Sequence, residues 1–187
     1  MQNRCQAVLL GLGLGLLGVT SSFAAWDPAD GESATSQGLA DPKVAEAIAN
    51  FKNSDPGIQR FFDNAYGYAV FPSIGKGGFG IGGAHGKGKV YEQGRMIGES
   101  SMTQVTIGFQ LGGQKYSEII FFKDNAALDR FASGRFEFGA QASAVALTAG
   151  ASADAAYSNS VAIFTLAKGG LMYEASVGGQ KFKFIPN

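Results

Sequence analysis

Three lysines occur in a stretch of the chain that has no acidic residue, between Asp63 and Glu92. They are Lys76, Lys87 and Lys89. Aromatic side chains are interleaved with them: Tyr68, Phe79 and Tyr91. A lysine near an anionic membrane contributes roughly 1 kcal/mol to binding, and tyrosine favours the membrane–water interface. These six residues therefore predict a site for an anionic lipid headgroup. A solvated hairpin tip that needs charge for solubility would show the same lysines.

Residues suited to catalysis or metal binding are scarce. His85 is the single histidine and Cys5 the single cysteine, so one copy of the chain cannot form a disulfide or a cysteine-based zinc site. Aspartate and glutamate are scattered, and no pair recurs at a spacing that assigns acid and base roles. We expect no catalytic residue, no metal ligand and no cofactor, and therefore a protein that is not an enzyme.

Composition limits the class of partner. The chain has 15 basic and 15 acidic residues, so its net charge does not favour nucleic acid as a partner. The segment 75–80 matches the dinucleotide pattern G-x-G-x-x-G. Because further glycines follow as far as Gly88, no helix can begin there to face a pyrophosphate. Any electrostatic preference must therefore be local.

The first 40 residues resemble a targeting segment and a tether. Arg4 precedes the apolar run 7–19, and small residues at Ser22 and Ala24 suit a signal peptidase. We expect residues 1–24 to be a cleaved signal peptide, with a retained membrane anchor as the alternative. Residues 25–40 are expected to be a flexible linker, and 41–187 the folded domain. The expected location is the periplasm or the exterior.

Helix signals follow the linker. Asp41 and Pro42 suit the start of a helix, and Val44, Ile48 and Phe51 form an apolar stripe along one side of it. A second short helix is expected after residues 54–56, and an internal one in 124–134. The two N-terminal helices could dock on a membrane, but we favour their capping an open end of a sheet.

The rest of the chain predicts a sheet. The glycine-dense segment 65–91 is expected to form kinked strands with a basic turn at 86–89. Alternating or apolar runs predict strands at 105–111, 116–122, 136–146, 157–166, 170–177 and 181–185. The inner line of 136–146 is alanine, which would admit either an opposite sheet or a lipid chain. The predicted fold class is α+β, mainly β. It is an antiparallel, glycine-rich sandwich or partly closed barrel with short N-terminal helices and one short internal helix.

Several of these motifs, taken in order, resemble the SYLF domain family. They begin with Ala-Tyr-Gly-Tyr-Ala-Val-Phe-Pro at 65–72 and Gly-Lys-Gly-Gly-Phe-Gly-Ile-Gly-Gly at 75–83, and further matches lie at 86–88, 107–114, 127–131, 161–164, 170–171 and 179–182. The resemblance covers nearly everything from Asp41 onward. It implies a non-enzymatic domain that binds membrane phospholipids, with phosphoinositides preferred by eukaryotic members and actin binding described for fungal ones. This chain departs from that pattern in its export signal and in an N-terminal helix poor in basic residues, and an exported chain is not expected to meet actin.

Two functions from different classes follow. The first is a lipid-binding protein of the cell envelope that recognises anionic phospholipid headgroups through the basic glycine-rich segment. The alternative is an envelope structural or stress protein that binds another protein through its sheet.

Overall fold

The computed structural model describes residues 41–108, 113–134, 136–140, 142–169 and 176–187; of Phe79, Gly80 and 106–108 it describes the backbone alone. The predicted signal peptide and linker lie outside the described residues, as does most of the predicted strand 170–177. Those assignments stay predictions.

The helices form where their capping residues predict them. Helix α1 (Pro42–Ser54) begins at Asp41, whose Oδ1 accepts a hydrogen bond from the Lys43 N–H at 3.0 Å. A 3₁₀ turn (Pro56–Ile58) leads into α2 (Gln59–Asn64), and α3 (Asn125–Ala132) follows later. Within the described residues, no helix is long and apolar enough to cross a membrane.

The strands form one sheet. In chain order they are β1 (Gly67–Glu92), β2 (Arg95–Gly108), β3 (Gln114–Phe122), β4 (Phe136–Glu137), β5 (Val145–Ala146), β6 (Val161–Ala167) and β7 (Lys181–Pro186). Their order in the sheet is β4-β7-β2-β1-β3-β6-β5, and neighbours are antiparallel except for β5 and β6. The prediction of one strand over 136–146 was wrong, because its two ends form separate strands, β4 and β5, and Ser143 between them makes only an isolated bridge to Ser176.

Strand β1 folds back on itself. A straight strand of its 26 residues would be about 85 Å long. Instead, its first arm (67–76) pairs with β3 and its second arm (80–92) pairs with β2. A Cβ on Gly88 would lie 2.5 Å from the Val70 carbonyl oxygen, and one on Gly86 would lie 2.6 Å from Ile74 Cγ1. β1 is therefore a hairpin with its apex near Gly80, and the described sheet contains eight strand segments.

The predicted basic turn at 86–89 is wrong for the same reason. These residues lie inside the second arm of β1, and the turn that follows is at Gln93 and Gly94, both with positive φ. The glycines at 86 and 88 serve the close approach of the two arms, since a side chain at either position would overlap the first arm.

Each face of the sheet carries its own apolar core. The N-terminal helices cover one face, where Phe51 and Ile58 pack with Tyr91, Phe121 and Phe164. They thus lie on a face of the sheet, whereas we expected them to cap an open end. On the other face, the interior, α3 packs beside residues contributed by β1, β2, β3 and β7: Phe71, Ile74, Met102, Ile120, Phe122 and Phe182.

The sheet is partly closed. Its two edge strands, β4 and β5, follow each other in the chain with only the short segment 138–144 between them. Because a single sheet curls in this way, the partly closed barrel is the form of the predicted fold that occurs, and the sandwich is not. The fold class, α+β and mainly β, is confirmed.

Candidate functional site

The lysines predicted from the sequence do not all share one face of β1. Successive side chains of a strand point to opposite faces. Gly86 and Gly88 face the interior, because a Cβ on either would meet Ile74 or Phe71. Lys87 and Lys89 therefore lie on the helix-covered face. Lys76 follows the buried Ile74 by two residues and lies on the interior side.

Lys89 already has a partner. Its Nζ forms an ion pair with Glu99 Oε1 across the β1–β2 ladder, and its side chain is only 21% exposed. The absence of acids along 64–91 had suggested uncompensated charge, but the acid comes from the neighbouring strand. Lys87 is exposed and takes part in neither of the two ion pairs found among the described residues.

The two tyrosines contribute to the core. The rings of Tyr68 and Tyr91 stack with their centroids 5.0 Å apart, and Phe62 and Phe121 pack around Tyr68. Tyr91 is fully buried and Tyr68 half-buried. Burial raises the pKa of Tyr91 to about 12. A headgroup at the surface would not reach the buried Tyr91, which therefore lies outside any contact surface. The side chain of Phe79 lies outside the described residues.

A different set of lysines borders one cavity. Lys76, Lys115 and Lys168 line a cavity of about 380 Å³ together with three glycines and Gln114. We call it the lysine cavity. No acidic residue is among its described lining residues.

Backbone pairing holds the lysine cavity together. Gly75, next to Lys76, is the ladder partner of Lys115, and the Lys168 N–H donates to the Lys115 carbonyl oxygen at 2.8 Å. The three lysines thus come from the end of the first β1 arm, the start of β3 and the residue after β6. Sequence reasoning missed Lys115 and Lys168. The available signal was a pair of glycines close to each lysine, at 112–113 before Lys115 and at 169–170 after Lys168.

The chemistry of the lysine cavity suits an anion. Each ammonium group is a point charge with three donors, and lysine is a common phosphate-binding residue. Three like charges bordering one cavity repel one another, so a bound phosphate would relieve this repulsion and accept their hydrogen bonds. The glycines leave room for such a group.

A second cavity lies at the seam between the sheet edges. It measures about 700 Å³, and its wall includes Ala140, Ala142 and Ala144 with side chains of β6. The alanines predicted to admit an opposite sheet or a lipid chain therefore face a cavity. Arg130, at its border, donates from Nη2 to the Asn159 carbonyl oxygen at 3.2 Å.

The remaining residues that could take part in catalysis or metal binding do not cluster in the described part of the chain. His85 is exposed and borders a surface hollow with Lys43, Lys87 and Lys89. In the described part of the chain, no three His, Cys, Asp or Glu residues lie close enough to hold a metal ion.

Comparison with known proteins extends the resemblance seen in the motifs. Residues 103–184 match the family model Ysc84, described as Las17-binding protein actin regulator. The chain is also 29% identical over 139 residues to beta cell expansion factor A of Aeromonas veronii. That match covers 73% of this chain and 52% of the relative, so the chain spans about half the length of the curated relative.

The family model covers the motifs at 107–114, 127–131, 161–164, 170–171 and 179–182, and the motifs at 65–83 lie outside it. The family is one of lipid- and actin-binding-type domains. Over residues 103–184 the chain matches the SYLF (Ysc84) family, and beta cell expansion factor A is a relative from the same family.

Proposed function

We propose that this protein is a non-enzymatic binding protein that attaches to membranes rich in anionic phospholipid. The lysine cavity takes the headgroup phosphate, and Lys87, exposed on the second arm of β1, adds to the attraction. The observation that carries the proposal is that Lys76, Lys115 and Lys168 line one cavity, without an acidic residue among its described lining.

The charge distribution supports a membrane rather than a free polyanion. The chain as a whole is neutral, with 15 basic and 15 acidic residues, so long-range attraction to nucleic acid is weak. A local cluster of cations acts over about one Debye length, roughly 8 Å at physiological salt. It therefore favours a surface that presents phosphates at close range.

The test is a triple variant, Lys76→Gln, Lys115→Gln and Lys168→Gln. At roughly 1 kcal/mol for each lysine near an anionic surface, it should bind about a hundredfold more weakly to vesicles of phosphatidylcholine and phosphatidylglycerol. Co-sedimentation over a range of vesicle concentrations measures this. Binding by the parent should also weaken as salt is added.

A matched control removes three other exposed cations: Arg95→Gln, Lys123→Gln and Lys183→Gln. None of them lines the lysine cavity, and the change in net charge is the same. The control should bind like the parent, and far-UV circular dichroism should be unchanged in both. Equal losses in the two triple variants would mean that net charge alone acts, and the proposed site would be wrong. Unchanged binding in both would favour the alternative, a protein that binds another protein through its sheet.

Two of the three lysines predicted from the sequence, Lys87 and Lys89, are tested in a separate variant. Lys87→Gln with Lys89→Gln should weaken binding by less than the lysine-cavity variant, because the Lys89 charge is already paired with Glu99. The same sedimentation assay ranks the two variants. If the order is reversed, the headgroup binds on the helix-covered face of β1.

The proposed location is the cell envelope, on the evidence of residues 1–24. The order of Arg4, the apolar run 7–19 and Ser22 to Ala24 predicts a mature protein that starts at Ala25. Intact mass spectrometry of the protein recovered from cells checks this. A mass that includes residues 1–24 would contradict it.

A further inference from the structure

Two large apolar side chains are exposed near the apex of the β1 hairpin. Ile81 is 74% exposed and Val105, on β2, is 76% exposed. Val105 is the ladder partner of Gly83, two residues from Ile81, so the two side chains are diagonal neighbours on the same face of the sheet. We call this pair the apolar tip. The interior core does not include it, and both residues extend into solvent.

The apolar tip and the lysine cavity lie at different distances from the apex of the β1 hairpin, and the tip is nearer. The approach of Gly86 to Ile74 sets the register of the two β1 arms, and the same register places Lys76 opposite Ala84. At about 3.3 Å per residue, Ala84 is roughly 10 Å behind Ile81. Val105 lies between them, at the level of Gly83. The order from the apex is therefore Ile81, Val105 and then the lysines.

This order matches the profile of a membrane surface. Apolar side chains that dock on a bilayer enter the boundary between headgroups and acyl chains to a depth of about 5–10 Å. An apolar tip at that depth would bring Lys76, Lys115 and Lys168 to the level of the phosphates. Lysine stems are flexible and allow the ammonium groups to reach the headgroups.

We infer that the protein docks with the β1 apex pointing into the membrane, so that Ile81 and Val105 enter the apolar boundary of an anionic bilayer while the lysine cavity holds phosphates behind them. The inference rests on the proposed function and adds the direction of approach and the residues that insert. The occupant of the apolar tip is a bilayer surface rather than a second copy of the chain, because the cations beside the tip would repel the same cations of another copy.

The test compares a variant of the apolar tip with a variant of an exposed isoleucine elsewhere on the sheet. Ile81→Ser with Val105→Ser removes the tip, and Ile185→Ser removes another exposed isoleucine. Ile185 lies on β7 opposite Glu99, far from the apex, and is 54% exposed. On phosphatidylcholine–phosphatidylglycerol vesicles, the tip variant should bind more than about tenfold more weakly, because the apolar area removed from water on docking is lost. The Ile185 variant should bind like the parent.

A probe at the tip reports insertion directly. Ile81→Cys, in a Cys5→Ser background, carries an environment-sensitive fluorophore, and Ile185→Cys carries the same label as the control. Adding the anionic vesicles should shift the emission of the label at position 81 to the blue and leave the label at 185 unchanged. Equal responses at both positions would overturn the inference.

The outcomes separate the inference from the proposed function. If the lysine-cavity variant loses binding but the tip variant keeps it, headgroup binding stands and insertion of the tip is wrong. If the parent does not bind anionic vesicles, both are wrong. If removing the tip instead converts an oligomer to a monomer in light scattering and leaves vesicle binding intact, the tip is a contact between copies and the inference is overturned.

Discussion

At the residue scale, Glu118 is unusual because its carboxyl group is buried in the protein interior. It lies on β3, is fully buried, and its Oε2 accepts a hydrogen bond from Gln180 Nε2 at 3.0 Å. Its Oε1 has no hydrogen-bond partner, although it is shielded from solvent. Loss of hydration raises the pKa of Glu118 from 4.5 to about 7, and the Gln180 hydrogen bond opposes this only in part. The folded protein therefore holds a proton that the unfolded chain releases.

The sign of the pH dependence follows from that shift. Because the pKa of Glu118 is higher in the folded state, its ionisation makes the free energy of unfolding fall as the pH rises from about 4.5 to beyond 7. Glu118→Gln keeps the shape and stays neutral. It should match the parent at pH 4 and be more stable at pH 8, by up to about 3 kcal/mol at 1.36 kcal/mol per pKa unit. Urea unfolding at the two pH values measures the difference.

Glu46→Gln is the control for Glu118, since Glu46 is exposed on α1. Because its side chain is exposed, this substitution should leave urea unfolding close to that of the parent. If Glu118→Gln gives a difference that is independent of pH, the buried carboxylate is ionised throughout or hydrated, and the account of its proton is wrong.

At the element scale, the β1 hairpin depends on two arms that approach too closely for side chains. A Cβ on Gly88 would lie 2.5 Å from the Val70 carbonyl oxygen and 2.7 Å from Phe71 Cδ1. Backbone and a buried ring cannot move aside without disturbing the interior core, so Gly88→Ala should lower the free energy of unfolding by more than about 1 kcal/mol. Thermal unfolding measures it.

Gly75→Ala is the matched substitution on the first arm of β1. A Cβ there would meet no atom within 4 Å, so its melting temperature should stay near that of the parent. If Gly88→Ala melted like Gly75→Ala, the two arms would not be packed as closely as described, and the fold of β1 would need revision.

Elements with local signals were predictable, and the β1 hairpin was not. Asp41 and Asp124 cap α1 and α3 through their own side chains, and such caps are readable from a few neighbouring residues. The hairpin apex lies among glycines that continue on both sides, so no residue marks where the chain reverses. The glycines at 86 and 88 suggested a turn in the sequence. In the structure they lie within a strand, where the two arms of β1 approach each other closely.

At the scale of the whole molecule, the lysine cavity shows why a site can escape the sequence. Lys76 was predicted because it stands in a segment without acids. Lys115 and Lys168 join it through the ladders between β1, β3 and β6, which connect distant parts of the chain. Pairing between the consecutive strands β1 and β2 places Glu99 beside Lys89, so the charge of that lysine is already compensated. A scan along the chain can detect the charges, but not which of them meet.

The position of β7 has a consequence for how the chain folds. β7 is the last strand in the sequence, yet it lies between β2 and β4, and Phe182 pairs with both Met102 and Phe136. Such pairing closes long loops, and contacts between distant residues form slowly. Until β7 docks, β2 has one edge that can pair with strands of other chains, which is a route to aggregation. The rate at which this final strand docks therefore sets how long a newly made chain is exposed to that hazard.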